Sequence, residues 1–301
     1  MTSDVFLLAT HSNLVLLDLN EDRTSGTVAH LSGGARFYGV AFDGKEVWVV
    51  KNTREHEDIS TIEGLFSGRQ IVFEAPLKDV HQITYANGGL YVCNTYYNGI
   101  VFKDLERGVE HVYTIGGPFE HDYEHPNSIW VDGPYVWVLC HNKRFRCSEV
   151  VRLRHHRNLG FDKGYLSEVR LRLPHAACHN LRFDGSLLTY IASENAQLAQ
   201  IDALTGTPLR GIPVPSSYVK GMALVDSRTA MVGLNPNVPV SRRYEAEVAV
   251  GFVDLVDMGF RSGLDVNLPT SEPLGNINEI RRLPRRIFGL ESKDPQDVPA
   301  T

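Results

Sequence analysis

Nowhere in the chain do apolar residues run unbroken for the roughly 18 to 20 positions that a membrane-spanning helix requires. The opening stretch, MTSDVFLLATHSNLVLLDL, lacks a basic segment and a small-residue cleavage site. Thr10, His11, Ser12 and Asn13 break up its apolar residues, so it reads as strand rather than signal. Cysteine is scarce. The four present (Cys93, Cys140, Cys147, Cys178) form no CxxC pair, which with no export signal in view points to reduced thiols and a cytoplasmic protein. Cys93 and Cys140 lie inside apolar segments and read as small buried hydrophobes. An excess of positive charge is also missing: 30 Lys and Arg stand against 36 Asp and Glu, a formal charge of −6. Such a molecule offers no general attraction to nucleic acid or anionic lipid, so neither is expected as a partner. The local basic clusters (Lys143, Arg144, Arg146; Arg152, Arg154, Arg157; Arg281, Arg282, Arg285, Arg286) read as solvated hairpin and tail faces. There is no GxSxG elbow, Walker loop, HExxH or GxGxxG after a strand, which removes the commonest sequence-encoded catalytic signatures.

What the chain does have is a repeat. An apolar strand, an Asp-Gly or Asn-Gly turn and a second apolar strand recur in YGVAFDGKEVWVVKN from Tyr38, HQITYANGGLYVCN from His81, NSIWVDGPYVWVLCHN from Asn127 and HNLRFDGSLLTYIAS from His179. A looser copy, KGMALVDSRTAMVGLN, starts at Lys220. The turn residues supply the positive φ that a tight hairpin needs. The copies begin 43, 46, 52 and 41 residues apart, the length of a four-stranded propeller blade, and further strands such as IVFKDL and VEHVYTI follow the hairpins. A sixth copy is split: NINEIRRL near the C-terminus supplies an inner strand, while VFLLAT, LVLLDL and GTVAHL near the N-terminus supply three more. Sharing one blade between the termini closes the ring and removes open sheet edges. The 301 residues, 43% hydrophobic, suffice for one closed all-β domain. The expectation is therefore an all-β, six-bladed β-propeller over residues 1–290. A disordered tail is expected over 291–301, where apolar residues nearly vanish.

Innermost strands line a propeller's channel, so the residues that open the repeats should face the axis. They are Tyr38, His81, Asn127, His179, Lys220 and, in the split copy, Asn278. The set is polar where an apolar filler would be the structural default, and buried polar groups need partners or a ligand. His125 and His175 sit in loops feeding the same end, and Glu279 follows Asn278. Imidazoles gathered from separate blades suit a transition metal, although a metal-free polar pocket and plain structural hydrogen bonding remain alternatives. The loop from Glu120 to Glu124 reads as a solvated connector. His155 and His156 read as surface, and His11, His30, His56 and His111 as outer residues without evident chemistry. Cys178 is not read as a nucleophile, since neighbours on a strand face opposite ways.

Two resemblances follow from these residues. The stretch from His179 through NLRFDGSLLTYIASENAQLAQIDALTG, with VKGMALVDSRTAMVGLNPNVPVSRR, VGFVDL and NINEIRRLP, resembles a bacterial family of propeller-like conserved hypothetical proteins over residues 36–284. That resemblance implies the fold and no activity. HPNSIWVDG around Asn127 is similar to the axial Asn segment of the gluconolactonase and senescence marker protein superfamily. Those six-bladed propellers bind a divalent cation on the axis through Glu, Asn and Asp and hydrolyse lactones or phosphoesters. This chain departs from that pattern: His179 stands where an oxygen ligand is expected and Tyr38 where the early Glu would be.

The leading expectation is thus a metal-assisted hydrolase or lyase for a small molecule. His81, His125 and His179 would hold a divalent ion, Zn, Fe or Mn in preference to Ca. Asn127 and Asn278 would orient the substrate, Lys220 would stabilise an anion, and Tyr38 or Glu279 would carry a proton. The alternative is a non-catalytic scaffold propeller recognising a peptide or protein on its top face. The fold alone does not choose between them.

Overall fold

A computed structural model describes residues 5–53, 59–116, 121–162, 169–257, 259–267 and 273–290; the expected tail, 291–301, lies outside them, as do His56 and Glu120. Six antiparallel sheets form a six-bladed propeller. In blade 1 the inner strand Ile277–Leu283 pairs with Val5–Thr10, followed outward by Asn13–Leu19 and Gly26–Gly33. The two ends of the chain therefore close the ring within one sheet, as the split repeat required. The inner strands of blades 2 to 6 are Arg36–Phe42, Val80–Ala86, Pro126–Asp132, Cys178–Phe183 and Tyr218–Leu224.

Burial falls from axis to rim for a simple reason. Each sheet has a neighbouring blade on both faces near the axis, so second strands are covered on both sides instead of alternating: Val5–Thr10 and Gly89–Asn94 are buried throughout. The outermost Pro208–Pro213 buries little besides Ile212. Six hydrophobic clusters result, one per blade interface. Phe6 and Leu8 of blade 1 meet Met231 and Phe252 of blade 6, and Trp137 and Leu139 of blade 4 meet Tyr190 and Ala199 of blade 5. Cys93 and Cys140 are fully buried, as expected. The Asn87–Gly88 hairpin has both central residues at positive φ (53° and 77°), which only such a pair adopts cheaply.

Polar latches also join the blades. Asn52 donates to the Val80 carbonyl, and the Ser148 hydroxyl accepts from the Cys178 amide. Asn235 brackets Ile277, donating to its carbonyl at 3.2 Å and accepting from its amide at 2.7 Å.

Two blades differ from the repeat. Blade 2 has three strands among the described residues, with two isolated bridges, Glu63–Gln70 and Ile59–Lys78, beyond them. In blade 4 the third strand, Glu149–His156, pairs with both Gly160–Phe161 and Val169–Arg172. One reading of the sequence is corrected here: His155 is buried, not on the surface. Strand alternation turns it inward, where it meets Phe102 and Phe161 and lies 2.7 Å from the Tyr91 hydroxyl, while Arg154 is exposed.

Candidate functional site

Every inner strand carries a bulge in its pairing at the residues that open the repeat. The register shifts between Phe37 and Val40, Val80 and Ile83, Pro126 and Ser128, His179 and Leu181, and Val219 and Met222. In blade 1 it shifts opposite Ala9 and Thr10, at Asn278. A bulge sets two residues against one and re-aims side chains, so each blade sends two consecutive residues toward the channel rather than one. The axis therefore has two tiers: Tyr38, His81, Asn127, His179, Lys220 and Asn278 above, and Gly39, Gln82, Ser128, Asn180, Gly221 and Glu279 below.

The upper tier and its loops form a chain of rings around the axis. His11 packs on Tyr38 (5.7 Å between centroids), Tyr38 stacks on His81 (4.8 Å), and His81 meets His125 edge-on (4.7 Å). His125 meets His141, His141 meets His179, and His179 meets Tyr218, at 5.0, 5.0 and 6.1 Å. The Lys220 ammonium lies 5.0 Å from the Tyr38 ring centroid.

Within this ring Asp79, His81 and His125 bring a carboxylate oxygen and two ring nitrogens within 4.8 Å of one another. His81 Nε2 is 3.3 Å from Asp79 Oδ1. Donors held about 2.1 Å from a tetrahedral ion stand at about that spacing from each other. The Asp122 carboxylate accepts from His125 Nδ1 at 2.6 Å, which leaves the His125 lone pair on Nε2 and fixes the ring as carboxylates do behind metal-binding histidines. Asp79 and His125 both have positive φ, 51° and 48°, the kind of strain that collects at functional sites. His81 Nδ1 is buried without a hydrogen-bond partner among the described residues. Burial above all pushes the His81 imidazole down to about 4, against the pull of Asp79, so it is neutral at pH 7 and able to coordinate. This set of one carboxylate and two imidazoles fits a divalent transition metal.

Lys220 is buried, and that burial, reinforced by Arg243, pushes its ammonium down to about 7. Its Nζ donates to Asn278 Oδ1 at 3.3 Å. Burial, then Lys220, also lowers His179 and His11 well below the ordinary imidazole range. His179 Nδ1 lies 3.1 Å from the Ala177 carbonyl, which can only accept, so the proton sits on Nδ1 and the lone pair on Nε2.

The lower tier is organised around Glu279. Its carboxylate accepts from Gln82 (3.0 and 3.2 Å), Asn180 (3.0 Å) and Arg281 (3.3 Å), thereby joining blades 3, 5 and 1 across the axis. Burial pushes this acid up to about 7 despite Arg281.

Of the residues singled out in the sequence, His81 and His125 come together, with Asp79 as a third donor. His179 faces the same ring but lies outside that trio and is held by Ser193 and Ala177. Tyr38 and Lys220 are in the ring. Both ends of the Asn127 amide are engaged within the protein, Nδ2 on the Cys178 carbonyl and Oδ1 on the Ser128 hydroxyl. Asn278 is likewise engaged, on the Phe37 carbonyl and on Lys220. Glu279 lies one tier deeper than Tyr38. His175 is set back against the Tyr190 hydroxyl at 2.9 Å. Two readings are corrected: His11 is buried beside Tyr38 at the axis, and the connector before His125 is not merely solvated, since Asp122 orients His125 and Glu124 is buried against Arg146. Sequence reasoning missed Asp79, His141 and the tier formed by Gln82, Ser128 and Asn180. The signal was a second polar or glycine residue after each opening one: YG, HQ, NS, HN, KG, NE.

No protein-family model and no curated protein matches this chain. Solved structures match it in shape. A chain of the nidogen–laminin complex superposes with a TM-score of 0.65 at 12% identity, over 93% of this chain and 98% of that one. A Bacteroides fragilis protein assigned provisionally as a 6-phosphogluconolactonase gives 0.61 at 13%, over 94% and 98%. A streptogramin B lyase gives 0.53 at 15%, over 89% and 76%. At these identities the likeness is one of fold.

Proposed function

We propose that the protein is a metal-assisted enzyme that hydrolyses, or cleaves by elimination, a small organic substrate at the upper end of the propeller axis. The observation that carries this reading is the convergence of Asp79, His81 and His125 in a ring that also holds a buried lysine. A divalent Zn, Fe or Mn ion held by these three would polarise a substrate oxygen. Asp122 keeps the His125 lone pair in place. Lys220, balanced between charged and neutral at pH 7, accepts or returns a proton at Nζ, and Asn278 aims it. The Tyr38 and Tyr218 rings flank His81 and His179. Arg243, over the Tyr218 ring, adds positive charge that favours an anionic substrate. Propellers of similar shape that carry lactonase or lyase names support the reaction classes. The four cysteines, all unpaired, support a reducing, cytoplasmic setting. No helix among the described residues is long and apolar enough to cross a membrane.

The test is turnover of a panel of lactones, esters and β-substituted carbonyl compounds before and after dialysis against a chelator. Activity should disappear on chelation, return with Zn or Mn, and be absent in His81→Ala. Activity that survives both chelation and His81→Ala contradicts the reading.

A further inference from the structure

The axis has a second opening. Past the bulges, the inner strands of blades 1, 3, 4, 5 and 6 run on to the face opposite the imidazole ring, where their ends enclose a cavity of about 410 Å³. This is a volume typical of small-molecule sites. Glu279, Gln82 and Asn180 line it, all three buried. The Glu279 oxygens are taken up by Gln82, Asn180 and Arg281, so the acid offers no bare acceptor to a ligand.

Arg281 keeps one nitrogen open to a ligand. Its Nε is on the Val40 carbonyl at 3.0 Å, and its Nη2 reaches Glu279 and the Ile83 carbonyl. Nη1 has no hydrogen-bond partner among the described residues, and 30% of the side chain remains exposed. Arg282 and Arg182, the latter 3.7 Å from Asp184, also line the cavity. Trp130, Met222, Leu224 and Tyr85 supply apolar wall.

We infer that this lower opening is a second binding site, independent of the imidazole ring, for a small organic carboxylate with a flat apolar body. The carboxylate accepts from Arg281 Nη1, and the body lies against Trp130 and Met222. A charge-assisted bond in a partly desolvated pocket supplies the preference for an acid over its neutral analogue.

The experiment is calorimetric titration of the full chain with 2-naphthoate, and with 2-naphthalenemethanol as its uncharged counterpart. The expected result is saturable binding of the acid, about ten-fold or more tighter than the alcohol. Arg281→Met should weaken it about as much. Because Arg281→Met also removes the bond to Val40, a second variant decides the matter: Thr84→Trp fills the cavity from a wall position outside the hydrophobic clusters and should abolish binding while leaving metal content and thermal midpoint unchanged. Absence of saturable binding, equal affinity for acid and alcohol, or binding that Thr84→Trp leaves intact overturns the inference.

Discussion

Asp122 and His125 are joined by a 2.6 Å hydrogen bond from Nδ1 to Oδ1, and the bond settles which nitrogen of His125 is available. Asp122 is itself held by Lys143, so the histidine is aimed by a carboxylate that the protein has already oriented. Replacing Asp122 by Asn removes the charge behind the imidazole and should weaken metal affinity by about 10- to 100-fold with little change in thermal stability. Competition titration against a chromogenic chelator measures this. Unchanged affinity would separate Asp122 from the metal site.

Glu279 makes a pH-dependent contribution whose sign is fixed by its environment. Burial raises its folded value to about 7, above the ordinary carboxylate value in the unfolded chain. The folded protein therefore binds the extra proton between about pH 4.5 and 7. The group's stabilisation is complete below that window and is lost as pH rises through 7, with a slope of at most about 1.4 kcal/mol per pH unit. Glu279→Gln should lose this component. Urea unfolding at pH 5, 6 and 7 checks it, and parallel pH profiles for the two proteins would contradict it.

Lys220 titrates in the opposite sense. Its folded value of about 7, set by burial and then by Arg243, lies below that of an ordinary lysine. Removing the nearby cation in Arg243→Met should move it upward. Lysine Nζ resonances followed by NMR from pH 6 to 9 should show one group titrating near neutrality in the wild type and at higher pH in the variant. A Lys220 that stays protonated throughout would remove it as a proton carrier.

Ring closure rests partly on Asn235. Its two hydrogen bonds to Ile277 tie blade 6 to the strand that completes blade 1, and both are buried. Asn235→Ala leaves the Ile277 amide and carbonyl without these partners and should cost about 2 kcal/mol, read as a lower urea midpoint. A midpoint within error of the wild type would show that the latch is dispensable.

The blades were legible because the hairpins carry their own punctuation. Asp43-Gly44, Asn87-Gly88, Asp132-Gly133 and Asp184-Gly185 mark the repeats, and aligning on them brought Tyr38, His81, His179 and Lys220 to the axis. The second tier was not legible because it depends on the bulges. A strict alternation sends Gln82 and Asn180 away from the channel, whereas the extra residue in each strand turns them toward it. Asp79 and His141 were hidden for another reason, lying just before and just after strands that the repeat defines. His11 was hidden because its blade is assembled from both ends of the chain. Only the pairing of Val5–Thr10 with Ile277–Leu283 carries it to the axis, where its Nδ1 lies 3.4 Å from the Asn276 carbonyl.

The measurement that bears most directly on the central claim is elemental analysis of tag-free protein purified without chelator, alongside an Asp79→Asn, His81→Ala double variant. The account predicts near-stoichiometric Zn, Fe or Mn in the wild type and its loss in the folded variant. A wild-type protein that carries no transition metal and takes none up on addition would contradict it.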